Sequence, residues 1–207
     1  MTQASRRPLK TRSAGWAKAM ASGLAKAGLT PNAISSIGVL FAAAGAWCFI
    51  AAPGGPAWLW LGGALGIQLR LLANMLDGLV AVEEGKSSPT GALFNELPDR
   101  VEDALLLIAF GYAAGVPELG YGATILAFGT AYVRASGGAL GFAQDFVGPM
   151  AKQHRMFILT VAAIAAFFLP RPEVVLVGTL WIIVAGSALT CIIRTMRIAK
   201  LLQGQAK

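Results

Sequence analysis

Residues 57–81 read Ala57-Trp-Leu-Trp-Leu-Gly-Gly-Ala-Leu-Gly-Ile-Gln-Leu-Arg70-Leu-Leu-Ala-Asn74-Met-Leu-Asp77-Gly78-Leu-Val-Ala81. Up to Leu76 the stretch is apolar and long enough to cross a hydrocarbon core, which takes roughly 20 residues of helix. At its far end sit an Arg, an Asn and an Asp. Asn74 and Asp77 are three residues apart and share a helical face. Ionisable groups at membrane depth are costly, and they usually serve a function. The segment therefore predicts an all-α integral membrane protein and marks where its chemistry lies.

The rest of the chain agrees. Of its 207 residues 56% are hydrophobic and 13% charged, where a soluble domain carries about 25% charge. Mean hydropathy is +0.65. Apolar runs at 33–52, 57–76, 101–115, 121–142, 156–169 and 174–193 predict six transmembrane helices. The third and fifth are short, so flanking polar residues should complete them. Pro/Gly breaks at 53–56, 115–117 and 170–172 suit hairpins between antiparallel helices. The longer polar segments are 77–100 and 144–155. We divide the chain into a basic segment (1–32), a six-helix domain (33–196) and a C-terminal tail (197–207).

The formal charge is +7. Alternating topology collects Arg6, Arg7, Lys10, Arg12, Lys18, Lys26, Lys86, Arg100, Lys152, Arg155, Arg194, Arg197, Lys200 and Lys207 on one face and leaves Arg171 alone on the other. The positive-inside rule puts the rich face, with both termini, in the cytoplasm. The basic residues cluster at helix ends, which points to anionic membrane lipid rather than nucleic acid, and the expected location is a bacterial inner membrane. No signal-peptide cleavage site is read after the first apolar run. Ahead of that run, Trp16, Met20 and Leu24 share one face of an amphipathic helix suited to lying on the membrane. Cys48 and Cys191 sit in apolar runs and read as small fillers.

A second polar stripe opens the third helix. In Gly91-Ala-Leu-Phe-Asn95-Glu-Leu-Pro-Asp99-Arg100-Val-Glu-Asp103, residues 91, 95, 99 and 103 are spaced by four. Two facing helices with oxygen ligands at these spacings could hold a hard divalent cation. They could equally be interfacial caps paired with Arg70 and Arg100.

Asn74-x-x-Asp77-Gly78-x-x-Ala81 followed by Gly91-x-x-x-Asn95-x-x-x-Asp99 resembles the signature of the CDP-alcohol phosphatidyltransferase family. That signature is D-x-x-D-G-x-x-A-R, a spacer, then G-x-x-x-D-x-x-x-D. Leu29-Thr30-Pro31-Asn32 and Tyr132-Val133-Arg134-Ala135 resemble further family elements. The resemblance covers nearly the whole chain, and six helices behind an amphipathic one is the family architecture. The chain departs from the signature at Asn74, Asn95 and Val82, where the family has Asp, Asp and Arg.

The resemblance implies transfer of a phosphatidyl group from a CDP-diacylglycerol-like lipid to a small acceptor alcohol, releasing CMP. It implies Mg²⁺ or Mn²⁺ at Asn74, Asp77, Asn95 and Asp99, with Asp99 also the catalytic base. Asn32, Asp77, Gly78, Ala81 and Gly91 would bind the CDP moiety. Arg134, Lys152, Arg155 and Arg194 would bind the acceptor, whose phosphorylation would suit them. A homodimer through transmembrane helices is also implied. Two anionic ligands have become neutral, so metal affinity should fall. The alternatives are a pseudoenzyme that binds CDP-lipid, or a small transporter or scaffold. Against a transporter, the polar groups gather at one end and no inverted repeat is detected.

Overall fold

Helix boundaries fall where proline, glycine and threonine set them. Thr30 Oγ1 accepts the backbone N–H of Ala33 at 3.2 Å, and Pro31 opens the helix that follows, a favoured N-cap and first-residue pair. Gly115, at φ 71°, reverses the chain just before Pro117 opens another helix. The structure is a computed structural model that describes residues 14–83, 85–86, 89–144 and 146–205. Among them the chain forms α1 (Gly15–Lys26), α2 (Pro31–Ala51), α3 (Trp58–Glu83), α4 (Gly91–Ala113), α5 (Pro117–Ala139), α6 (Lys152–Phe168) and α7 (Glu173–Gln205). Arg6, Arg7, Lys10, Arg12 and Lys207 lie outside the described residues.

Three helices, α2, α3 and α7, are long and apolar enough to cross a membrane. The other long helices are α4 and α5, with 23 residues each, and α6, with 17. At 1.5 Å per residue they span about 35 Å and about 26 Å. Polar residues complete them: α4 begins ten residues before the apolar run at Val101, and α6 begins at Lys152. α3 continues to Glu83, so Asn74, Asp77, Gly78 and Ala81 all ride on one uninterrupted helix. α7 runs without a break through Arg197 and Lys200 to Gln205.

Small residues let the helices approach. A Cβ on Gly66 would lie 2.6 Å from the Cα of Gly45, so α2 and α3 touch backbone to backbone. Gln68 Nε2 on α3 donates to Thr160 Oγ1 on α6 at 2.8 Å. The main core gathers Phe49, Ile67, Leu106, Phe110, Met156, Leu159 and Leu180. Within it the rings of Phe49 and Phe110 meet edge to face at 5.3 Å. α1 buries Ala17, Ala21 and Ala25 against Ile34, Ala73, Leu76 and Val80. Its bulky residues Trp16 and Met20 stay exposed. Both cysteines are free and half-buried.

Candidate active site

Three helices each present two residues, three apart, to one interior strip. α2 gives Ser35 and Gly38, α3 gives Asn74 and Asp77, and α4 gives Asp99 and Glu102. α3 runs opposite to its neighbours, which sets the levels. Ser35 Oγ donates to Asp77 Oδ2 at 2.6 Å. One turn deeper, Asn74 Nδ2 donates to Glu102 Oε2 at 2.8 Å, and a Cβ on Gly38 would lie 2.6 Å from Glu102 Oε1. The same Asn74 Nδ2 reaches Asp99 Oδ1 at 2.6 Å and so ties the two levels together. Both of its partners are carboxylate oxygens, which accept hydrogen bonds. The amide nitrogen must therefore face them, and Oδ1 turns toward Gly38.

Below the strip lies a buried ion network. Arg70 reaches Glu102 at 3.0 Å and Asp103 at 2.7 Å, with all three side chains fully buried. Arg155 binds the other oxygen of Asp103 at 2.8 Å and donates to the carbonyl of Met150. Arg194 donates to the carbonyls of Val147 and Thr130 at 2.8 and 2.6 Å. Arg155 and Arg194 are 1% and 5% exposed, so the structure keeps both within the protein scaffold. Lys152 pairs with Asp99 from the start of α6, and Arg100 approaches the same carboxylate at 3.6 Å. Arg134 holds both oxygens of Glu96 at 2.7 Å, takes Gln144 Oε1 at 2.8 Å and stacks over Phe146. Lys152 and Arg134 keep 23% and 11% of their side chains exposed, which leaves them the reachable cations of the four.

The expected nucleotide residues lie around the same end. Asn32 Nδ2 meets Thr90 Oγ1 at 3.5 Å, next to Gly91. Gly78 is buried, whereas Ala81 and Gly91 are half-buried and Val82 is exposed. Asn95 is half-buried and stands one helical turn from Asp99. Sequence reading missed Ser35, Gly38 and Glu102. Ser35 lies within the apolar run at 33–52. Glu102 was passed over because the stripe was traced in steps of four from Gly91. A step of three from Asp99 reaches it, just as a step of three joins Asn74 to Asp77.

Among the described residues two buried carboxylate oxygens, Asp77 Oδ1 and Glu102 Oε1, have no hydrogen-bond partner. Buried acceptors are normally satisfied, and hard oxygen donors of this kind suit Mg²⁺ or Mn²⁺. Among the described residues no three Asp, Glu, His or Cys side chains are already drawn into one cage, and Asp99 is turned toward Lys152.

No family model matches the chain. It is similar to the phosphatidylinositol phosphate synthase of Cutibacterium acnes, 32% identical over 160 residues that cover 72% of this chain and 74% of that protein. The chain belongs to the CDP-alcohol phosphatidyltransferase family. The synthase of Streptomyces avermitilis is 29% identical over 86% of this chain and 75% of its own length. A structure of the Mycobacterium tuberculosis synthase with CDP-DAG bound superposes with a TM-score of 0.76, at 24% identity over 89% of this chain and 94% of that one. Another, in complex with manganese and citrate, gives a TM-score of 0.74 at 24% identity and 88% coverage of each chain. This phosphatidyltransferase is thus an integral membrane enzyme of phospholipid biosynthesis, not a transporter or scaffold.

Proposed function

We propose that the enzyme transfers the phosphatidyl group of CDP-diacylglycerol to a hydroxyl of a phosphorylated acceptor, an inositol phosphate, and releases CMP. The observation that carries this is the convergence of Asn74, Asp77 and Asp99 with Lys152 at one end of the bundle, in a chain related along most of its length to phosphatidylinositol phosphate synthases.

The acceptor oxygen attacks the phosphatidyl phosphorus as the bond from that phosphorus to CMP breaks. Asp99 takes the hydroxyl proton, and the nucleophile–base geometry should tighten when substrate displaces Lys152 from it. A divalent cation, Mg²⁺ or Mn²⁺, would be held by Asp77 and Asp99 with the amide oxygens of Asn74 and Asn95, and would neutralise the diphosphate. Ser35 fixes the Asp77 rotamer. Gly78 and Gly91 let the nucleotide approach the backbone, and Asn32 and Ala81 border it. Lys152 and Arg134 meet the acceptor's phosphate, while Arg155 and Arg194 hold the wall behind them. The exposed Trp16 and Met20 face of α1 lies on the cytoplasmic leaflet.

The test is release of CMP by detergent-purified enzyme given CDP-diacylglycerol, Mn²⁺ and a panel of acceptors. Inositol phosphate should outpace free inositol, glycerol and glycerol phosphate. Best turnover with an unphosphorylated alcohol would overturn the acceptor, and no CMP release with any alcohol would overturn the reaction. The implied homodimer belongs to the same proposal, and a monomeric mass in both mild detergent and nanodiscs would count against it.

A further inference from the structure

The signature departs from that of its family at positions 74 and 95, where an anionic ligand has become an amide. The structure shows what stands next to the amide at 74. Glu102, one turn along α4 from Asp99, is fully buried. Its Oε2 is occupied by Arg70 at 3.0 Å and by Asn74 Nδ2 at 2.8 Å. Its Oε1 has no hydrogen-bond partner among the described residues. That free oxygen points into the notch left by the missing side chain of Gly38, where the Asn74 Oδ1 also arrives: an added Cβ would lie 2.6 Å from the first and 3.4 Å from the second.

We propose that Glu102 supplies, from α4, the negative charge that position 74 lacks, and that its free Oε1 is a ligand of the divalent cation. Three observations fit together on this assignment. A buried carboxylate oxygen without a donor is costly unless a cation or another donor serves it. An aspartate at 74 would face Asp99 and Glu102 at hydrogen-bond distance with no proton to share, so a carboxylate at 102 requires an amide at 74. Gly38 keeps open the space into which Oε1 projects. Arg70 then orients Glu102 and offsets part of its charge, while leaving one oxygen free. The exchange restores one of the two charges that positions 74 and 95 lack, and moves it from α3 to α4.

The inference rests on the cation-dependent reading proposed above, so its test begins with the unaltered enzyme. Mn²⁺ binding is measured by the loss of the free-ion electron paramagnetic resonance signal in detergent-purified protein, without substrate. Glu102→Gln should weaken Mn²⁺ binding by about 10-fold or more. The crossed variant Asn74→Asp/Glu102→Gln should return it to near the starting value, because Asp at 74 stands one turn from Arg70 on the same helix and restores the charge. If Glu102→Gln does not survive purification, Glu102→Asp replaces it. It keeps a charge beside Arg70 but withdraws the carboxylate, and it too should weaken Mn²⁺ binding. Unchanged Mn²⁺ affinity in either variant, with only a lower melting temperature, would make Glu102 a mere ion-pair partner of Arg70 and overturn the proposal. Failure of the crossed variant to recover affinity would overturn the exchange. If the unaltered enzyme binds no Mn²⁺ in this measurement, the cation-dependent reading itself fails, an outcome distinct from the others.

Discussion

Asp103 joins two arginines, Arg70 and Arg155. Arg70 takes one oxygen and Arg155 the other, at 2.7 and 2.8 Å, and all three side chains are at most 1% exposed. Removing one partner of a buried ion pair leaves charge without compensation, which costs about 3–5 kcal/mol. Asp103→Asn should therefore lower the melting temperature in detergent sharply, whereas Glu96→Gln, at a carboxylate with 43% of its side chain exposed, should change it little. Asp99 is the contrasting residue. Its partners Lys152 and Asn74 approach it from two helices, and 16% of its side chain reaches solvent. Asp99→Asn should keep the fold and lose a general base, cutting turnover by about 10²–10⁴-fold, read as CMP release at matched melting temperature. The sequence placed Asp99 and Asp103 on one stripe, but a spacing of four does not separate a reactive carboxylate from a structural one. The distinction depends on Arg70 and Arg155, which lie 33 and 52 residues away from Asp103.

At the scale of helices, the site depends on how closely α2 approaches α3. Ser35 must reach Asp77 and Gly38 must receive Glu102, and the approach is set by Gly45 against Gly66, well away from both. A Cβ at Gly66 would come within 2.6 Å of backbone, so the helices themselves must separate. Gly66→Ala should destabilise by about 1–3 kcal/mol through overpacking and should also lower turnover, because the strain reaches Ser35 and Gly38 through α2. Gly178→Ala on α7, with nothing within 4 Å of the added methyl, should be neutral or slightly stabilising. Thermal melting and CMP release on the pair check both halves. Much of this architecture is written in the chain. Hydropathy located all six long helices, and the Pro/Gly turns separated them. Polar residues were expected to complete the short third and fifth runs, and α4 and α6 begin in such residues. Hydropathy alone stopped α3 at Leu76, seven residues before its end. The apolar pattern ends there, but the helix continues, with Asp77 paired to Ser35 on α2 and Glu83 to Lys18 on α1. Ser35, Gly38 and Glu102 stayed hidden for a related reason. Each is ordinary on its own helix and acquires a role only against a neighbour.

For the whole molecule, the remaining question is which way it sits in the bilayer. α2 to α7 run alternately up and down, as the residue pairs from α2, α3 and α4 require and as the hairpin between α4 and α5 continues. Six alternating helices return the chain to the side on which it started. The motif end gathers Lys18, Lys26, Lys86, Arg100, Lys152, Arg197 and Lys200 at the ends of helices or in the segments between them, and the opposite end has Arg171 in the turn before α7. Lys and Arg near helix ends set orientation, so the basic end should be cytoplasmic. This is also where a water-soluble acceptor and the departing CMP would need access. α4 is the helix on which this count turns. Glu96, Asp99, Arg100, Glu102 and Asp103 make it too polar to rank with α2, α3 and α7 by composition. Yet Glu102 and Asp103 are paired inside the protein, so α4 need not show those charges to lipid. A reporter that is active only outside the cytoplasm should be silent when fused after Gln205 and active when fused in the turn at Gly115, between α4 and α5. The reverse pattern would invert the whole molecule. Activity at both positions would mean that α5, α6 and α7 do not all cross, leaving the bundle with an uneven number of spans.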